Sequence, residues 1–415
     1  MMKSFDVILV GGGAAGFFTA INLAEKRSGL KIAILERGKE TLEKVRISGG
    51  GRCNVTHACF IPNDLAKFYP RGEKELRGPF HRFASGDTIE WFEKHGVELK
   101  IEEDGRMFPS TDSSRTIIDC FVAATQKLDI NVLTGQSVQS IFKTGDGWKI
   151  DTPVDAFACK VLVLTTGSNP KMWEMTKSLG HSIVAPVPSL FTFNIKDARI
   201  ANLAGISAHA SIRVSGTRLL ASGPILITHW GMSGPAILKL SAWGARELFA
   251  LNYKFEIVVN WLGIDTDEAL EILTGIKSAN AKKIVSKKSI FDADGPLENV
   301  IIPNRLWESL VIASGIPDGV QWANLSKIQL MQLSEQLTRA AFKVDGKSTF
   351  KEEFVTAGGI DLKEIDFKTM RSKLHDNLYF AGEILNIDAI TGGFNFQNAW
   401  TGGFLAADAI ASTIG

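Results

Sequence analysis

The chain begins with an apolar run at residues 5–10 that breaks at Gly11-Gly12-Gly13. It resumes as AAGFFTAINLAEKR, whose apolar positions recur at helical spacing and whose last residues are basic. A second apolar run at 31–35 ends on Glu36. This pattern predicts strand, glycine turn, helix, strand. Further along, helices are predicted at 86–95 and 113–128 and strands at 132–141 and 148–150. The short apolar run at 161–165 is of the kind buried on both faces of a parallel sheet. Pro186-Val187-Pro188 restricts the backbone to extended geometry and marks a boundary. From 191 to 261 the pattern is β-rich, with strands predicted at 191–195, 208–214, 224–228 and 255–260. One helix interrupts them, N-capped by Ser233 with Pro235 in its first turn. Residues 266–343 read as largely helical. The first style then returns with an apolar strand ending at Gly382-Glu383 and a helix of small residues. The economical reading is a nucleotide-binding domain built from both ends of the chain (1–188 plus 346–415). Between them lie a β-rich insert (189–262) and a helical subdomain (263–345).

The turns between these elements carry the candidate chemistry. Gly11 permits a tight turn, Gly13 lets backbone N–H groups approach a pyrophosphate, and Gly16 lets the helix lie close on the strand. Ala14 and Ala15 open that helix, whose N-terminus favours anions. Glu36, beside Arg37, is placed to accept the hydroxyls of an adenosine ribose and would repel a phosphate there, favouring FAD or NAD over NADP. A second glycine element, Ser48-Gly49-Gly50-Gly51-Arg52-Cys53-Asn54, suits a loop folded against a ligand. In it Arg52 is a candidate partner for a phosphate and Asn54 for a ring edge, while Cys53 reads as a buried thiol. Val138, Thr166 and Gly167 join the cofactor-contacting set. Near the C-terminus, Gly382 and Glu383 sit where an FAD fold reaches ribityl hydroxyls. Gly392, Gly393, Phe394 and Asn395 open a helix that would aim N–H groups at the flavin N1/O2 edge. A simple NAD dehydrogenase has no need of this return, so the set points to FAD.

Length, charge and cysteines narrow the class. At 415 residues two or three domains are expected, and a net charge of +1 gives no global basic field. Cys53, Cys59, Cys120 and Cys159 show neither C-x-x-C nor zinc spacing, which removes a disulfide reductase, makes a metal site unexpected and suits a reducing compartment. Asp6 and the glycine cluster argue against a signal peptide, and no apolar stretch is long enough to span a bilayer. A cytoplasmic enzyme with no membrane association is the expectation.

The motifs GGGAAG, SGGGRCNVTH, LVLTTG, ILITHWGMSGPAIL, VTAGGI and GEILNIDAITGGFNFQNAW, in this order, resemble the HI0933-like (YhiN/BaiN-like) flavoprotein family. The resemblance spans the chain. It implies an α/β fold: a Rossmann-like FAD-binding domain (parallel sheet, GR2-type), an inserted β-rich, barrel-like domain and a helical subdomain. It also implies NADH or NADPH as electron donor, and reduction of carbon–carbon double bonds in substrates as unlike as small enones and a uridine of ribosomal RNA. One stretch departs from the family's glycine-rich pattern, Ser168-Asn169-Pro170-Lys171-Met172-Trp173.

No second G-x-G-x-x-G is present, so a pyridine nucleotide would bind transiently over the flavin, whose N5 would carry the hydride. His229, in Thr228-His229-Trp230-Gly231-Met232-Ser233-Gly234-Pro235, is the candidate proton donor. Asp104-Gly105-Arg106 reads either as a loop near the flavin or as an ordinary turn. Lys277, Lys282, Lys283, Lys287 and Lys288 form either a solvated face or, with Lys327 and Arg339, phosphate contacts for RNA. Two other readings compete with a reductase: an FAD-binding regulatory or scaffold protein without turnover, and a flavin monooxygenase. Substrate and oligomeric state stay open at this level.

Overall fold

A computed structural model of the protein describes residues 2–348 and 355–414. The chain divides into two compact units, Met1–Val187 with Val355–Gly415, and Pro188–Phe354.

The first unit is built on a parallel sheet. β1 (Lys3–Val10) leads through Gly11-Gly12-Gly13 into α1 (Ala14–Lys26) and back to β2 (Ile32–Leu35). β3 (Asn131–Leu133) pairs with β2, β4 (Ala156–Leu164) lies on the other side of β1, and β5 (Leu378–Phe380) pairs with β4. All of these pairings are parallel, giving the order β5-β4-β1-β2-β3. Every residue of β2 and β5 is buried, as a strand covered on both faces requires. The predicted strand at 132–141 is two strands. β3 ends at Leu133, and Ser140–Thr144 starts an antiparallel hairpin with Gly147–Asp151 that pairs onto β4. Gln136 and Gly135, turn-forming residues in the middle of the run, donate N–H to Glu36 and Gly38 carbonyls instead of a strand partner.

The C-terminal helix α2 (Phe394–Thr413) packs along α1. Phe18 sits in an aromatic cluster with Trp91, Phe83 and Trp400, ring centroids 4.6–5.6 Å apart. Each such buried aromatic contributes about 1.5–3 kcal/mol of transfer free energy. The two ends of the sequence thus share one core. The departing stretch after β4 forms its own helix, Pro170–Ser178, capped by Asn169, whose Oδ1 accepts from Lys171 and Met172 N–H. Trp173 in that helix is buried and donates Nε1–H to the Ile384 carbonyl at 2.9 Å.

The second unit holds an antiparallel sheet in the order Ala340–Asp345, Lys254–Asn260, Ser207–Val214, Leu220–Ile227, Gly231–Ser233, Thr192–Asn194, Lys347–Ser348. Its first and last strands are joined through Gly346, which donates to the Tyr253 carbonyl (2.8 Å) and accepts from Asn194 N–H (3.0 Å). The sheet therefore curls on itself like a barrel. Gly346, where the sequence reading places the return to the nucleotide domain, closes this sheet instead. The helical run expected to 343 ends with Lys327–Thr338, because Ala340–Asp345 alternates buried and exposed with period two and pairs as a strand. Ser233 is not an N-cap either. It belongs to a strand opposite Leu226 and accepts a hydrogen bond from Thr192 Oγ1, while Gly234 caps the helix Pro235–Trp243.

No helix among the described residues is long and apolar enough to cross a membrane.

Candidate functional site

The carboxyl ends of β1, β2, β4 and β5 lie side by side, and each delivers a residue singled out by sequence. β1 delivers Gly11, β2 Glu36, β4 Thr166 and Gly167, and β5 Gly382 and Glu383. The chain leaves β1 toward β2 on one side and reaches β4 on the other, the switch point at which open α/β sheets bind ligands. A Cβ on Gly16 would lie 2.1 Å from the Gly11 carbonyl oxygen, and one on Gly11 2.4 Å from that of Thr165. Backbone therefore packs on backbone beneath the first turn of α1. Above it there is room, since a Cβ on Gly13 would meet nothing within 4 Å. That turn carries no acidic side chain, and Gly13 supplies no side-chain cap. Ala14, Ala15, Ala381 and Ala399 form a small-residue floor, with a Cβ on Gly382 3.2 Å from that of Ala15.

Glu36 is fixed by its own neighbours, accepting from Gly12 N–H at 2.8 Å and Gly38 N–H at 2.7 Å. Arg37, next to it, is exposed. Glu383 accepts from Lys44, a partner that sequence reasoning missed. Val138 is buried in the core of the unit. Thr166 Oγ1 is buried and has no hydrogen-bond partner among the described residues.

The second glycine element is a left-handed run, with φ of 58°, 68° and 86° at Gly49, Gly50 and Gly51. A Cβ on Gly50 or Gly51 would meet nothing within 4 Å, so this loop presents an open backbone face. Arg52, the candidate partner for a phosphate, is already engaged by carboxylates of the protein. Its guanidinium pairs with Glu102 and Asp112 and lies 3.9 Å from the Phe108 ring centroid. Those carboxylates come from a small antiparallel patch far along the chain, which no local spacing reveals. Cys53 is fully buried, and burial pushes its thiol up to about 12, so it is an inert apolar residue here. Asn54 ties the glycine elements together. With the side-chain amide turned to the orientation that satisfies its neighbours, its NH2 donates to the Thr56 carbonyl (3.0 Å) and the Met107 carbonyl (3.2 Å) and its oxygen accepts from Gly393 N–H (3.0 Å). The Gly393 N–H expected to face the flavin is thus held by Asn54. Asn395 likewise closes its own loop, with both side-chain atoms bonded to the Ala389 backbone. Phe394 stacks on both Phe68 and His57, whose own ring centroids are 5.9 Å apart, with Gly392 against the His57 ring edge.

His229 lies on an exposed turn of the second unit, between Leu220–Ile227 and Gly231–Ser233. In the lysine segment, Lys277 donates to the Leu325 carbonyl and Lys288 pairs with Asp292, while Lys282, Lys283 and Lys287 are exposed.

One further constellation has the order of a hydrolytic triad. Ser372 Oγ lies 3.0 Å from His181 Nε2, and His181 Nδ1 lies 2.9 Å from Glu364. Ser372 is buried and its oxygen also accepts from Leu374 and His375 N–H, so no lone pair is left for attack; the cluster is structural. Burial holds the His181 imidazole below its ordinary value despite Glu364, and Glu364 itself lies below the usual carboxylate range. Both folded values are depressed, so their stabilisation is complete above the unfolded values and is lost on acidification. The histidine part goes first, as pH falls below about 6.5. The melting temperature is expected to fall between about pH 7.5 and 5.5. In His181→Gln that slope should flatten, and an unchanged slope would contradict the assignment.

The family model described as the HI0933-like protein Rossmann domain matches residues 5–409. The chain belongs to the HI0933-like family. It is a flavin-dependent oxidoreductase with a Rossmann-like FAD-binding domain. Among curated HI0933-like relatives, the ribosomal RNA dihydrouridine synthase of Escherichia coli is 28% identical over 99% of both chains. The 3-dehydro-bile acid delta(4,6)-reductase of Clostridium scindens is 24% identical, covering 97% of this chain and 98% of its own. A solved 3-ketosteroid delta1-dehydrogenase from Sterolibacterium denitrificans shares the fold, with a TM-score of 0.52 at 12% identity over 99% of this chain and all of the other.

The residues present fit FAD. The uncapped first turn of α1 suits a pyrophosphate, Glu36 an adenosine ribose, and the unpartnered Thr166 hydroxyl and the open Gly50-Gly51 backbone the remainder of the molecule.

Proposed function

We propose that this protein uses NADH or NADPH to reduce a carbon–carbon double bond conjugated to a carbonyl, and that its substrate is a uridine in ribosomal RNA. The observation that carries the reading is the convergence of Gly11, Gly16, Glu36, Thr166 and Gly382 on one sheet edge, with an uncapped helix end and an orphaned hydroxyl beside them. FAD bound there supplies hydride transfer at its N5 position. The N–H groups of α1 would hold the pyrophosphate, Glu36 would favour an unphosphorylated ribose, and the floor of alanines would leave room for the coenzyme beside the sheet. Two full-length relatives named for ribosomal RNA dihydrouridine synthesis support the RNA substrate over a small enone. The relative named for a bile acid reductase supports the same double-bond chemistry. A cytoplasmic location accords with a ribosomal substrate.

The purified protein is expected to be yellow and to bleach anaerobically with NADH or NADPH. Ribosomal RNA from cells lacking the gene should lose a dihydrouridine by nucleoside mass spectrometry. An unchanged nucleoside profile with intact bleaching would move the substrate to enones. FAD binding with no reduction by either nucleotide would leave the regulatory or scaffold reading.

A further inference from the structure

His57 packs between the C-terminal glycine element, at Gly392 and Phe394, and the Asp104-Gly105-Arg106 turn. Thr56, beside it, is locked to the C-terminal helix, its Oγ1 donating to Gln397 Oε1 at 2.6 Å. The His57 ring stacks on Phe394 at 4.7 Å and 22°, and Phe394 stacks on Phe68 at 4.3 Å and 14°. From the other side comes the Asp104-Gly105-Arg106 turn. Gly105 has φ of 83°, and a Cβ there would lie 2.5 Å from His57 Cε1, so the turn is shaped around the imidazole edge.

This packing sets the tautomer. His57 Nε2 lies 3.1 Å from the Asp104 carbonyl oxygen, which can only accept, so Nε2 carries the hydrogen. Burial also holds the imidazole below its ordinary value, against the pull of that carbonyl, and keeps it neutral at pH 7. Nδ1 is then a bare lone pair, and it is buried without a hydrogen-bond partner among the described residues. A buried acceptor left unpaired is destabilising, and such groups in folded proteins are nearly always satisfied. The lone pair lies in the plane of the imidazole, so its donor must approach along the ring edge rather than over the face stacked on Phe394.

We propose that His57 Nδ1 accepts a hydrogen bond from an imide N–H, a ring nitrogen flanked by two carbonyls. Two participants in the proposed reaction carry that group, the pyrimidine ring of the flavin and the uracil ring of the substrate; a steroid-type enone carries none. The inference rests on the flavin reading of the site and narrows the chemistry recognised there.

Two variants and two methylated probes test it. His57→Phe keeps the stack and deletes the acceptor, whereas His57→Asn keeps an acceptor near the Nδ1 position. If the flavin is the donor, FAD binding followed by visible absorbance weakens about two- to tenfold in His57→Phe and recovers in His57→Asn. N3-methyl-FAD then binds wild type more weakly than FAD does, while the His57→Phe variant, having no acceptor, no longer distinguishes the two. If uracil is the donor, FAD binding is unchanged. A uridine-containing ribosomal RNA oligonucleotide then loses affinity for His57→Phe, and its N3-methyluridine counterpart binds wild type equally poorly. Should His57→Phe fail to melt cooperatively, the methylated probes on the unaltered protein decide. Wild-type affinity of both variants for FAD and the oligonucleotide, or indifference of wild type to both methyl groups, overturns the proposal. A flavin response without any RNA binding leaves it standing and removes the RNA substrate instead.

Discussion

Gly16→Ala is expected to yield a folded protein that is nearly colourless. The new Cβ would lie 2.1 Å from the Gly11 carbonyl oxygen and 2.9 Å from Thr165 Oγ1, and neither can retreat. Gly11 is bonded to the Leu35 carbonyl through its N–H, and Thr165 to Val10 and Gly11 carbonyls through its hydroxyl. The strain is relieved only by lifting the start of α1 from the sheet. The rest of α1 is held by Phe17, Phe18, Ile21 and Leu23, all at most 1% exposed, so the helix tilts rather than detaches. Overpacking of this kind costs about 1–3 kcal/mol. It falls on the N–H groups proposed to receive the pyrophosphate, and FAD affinity should drop roughly ten- to hundredfold. Titration of the apoprotein with FAD, beside a thermal melt without it, checks both halves. Wild-type affinity in a folded variant would show that this turn is not where the coenzyme is held.

The same turn shows what the sequence makes legible. Gly11, Gly16, Glu36 and the buried β4 strand announce themselves because their spacing is local: strand, turn and helix each leave a periodic or compositional trace within about twenty residues. The meeting of the two chain ends was also readable, since Gly382-Glu383 repeats the strand-end pattern of the first forty residues. What could not be read was who occupies whom. Arg52 looked available for a phosphate, but Glu102 and Asp112 arrive from another strand pair and take its charge. Gly393 looked free to donate, but Asn54 accepts its N–H. His57 stood in plain view inside SGGGRCNVTH, yet only the stack with Phe394 and the Gly105 turn reveals a fixed tautomer. Short strands such as Ala340–Asp345 were lost beside helices because six residues of alternation are easily absorbed into a longer helical count.

Arg71 and Asp388 give the clearest case of a pairing hidden by distance, and the largest effect on stability. Asp388 is completely buried, Arg71 is 14% exposed, and the guanidinium engages both carboxylate oxygens. The backbones of the two residues also form a bridge, so the ion pair pins the loop between β5 and α2 to the segment before Glu73–Phe80. Removing one partner takes the bidentate counter-ion from a largely desolvated charge, and Asp388→Ala should cost about 3–5 kcal/mol. In a unit of this size that lowers the melting temperature by roughly 6–20 °C. The electrostatic origin has its own signature. An apolar pair of similar volume, Arg71→Met with Asp388→Leu, avoids that desolvated charge and should recover much of the loss. If the double variant is as unstable as the sum of its single changes, the two side chains act independently and the loop is held by its backbone. The loop also carries Ala389, whose N–H and carbonyl are bonded to Asn395 at the start of α2. Loosening it should therefore weaken FAD binding in Asp388→Ala beyond what the fraction unfolded explains, measurable by comparing coenzyme titrations well below the melting transition.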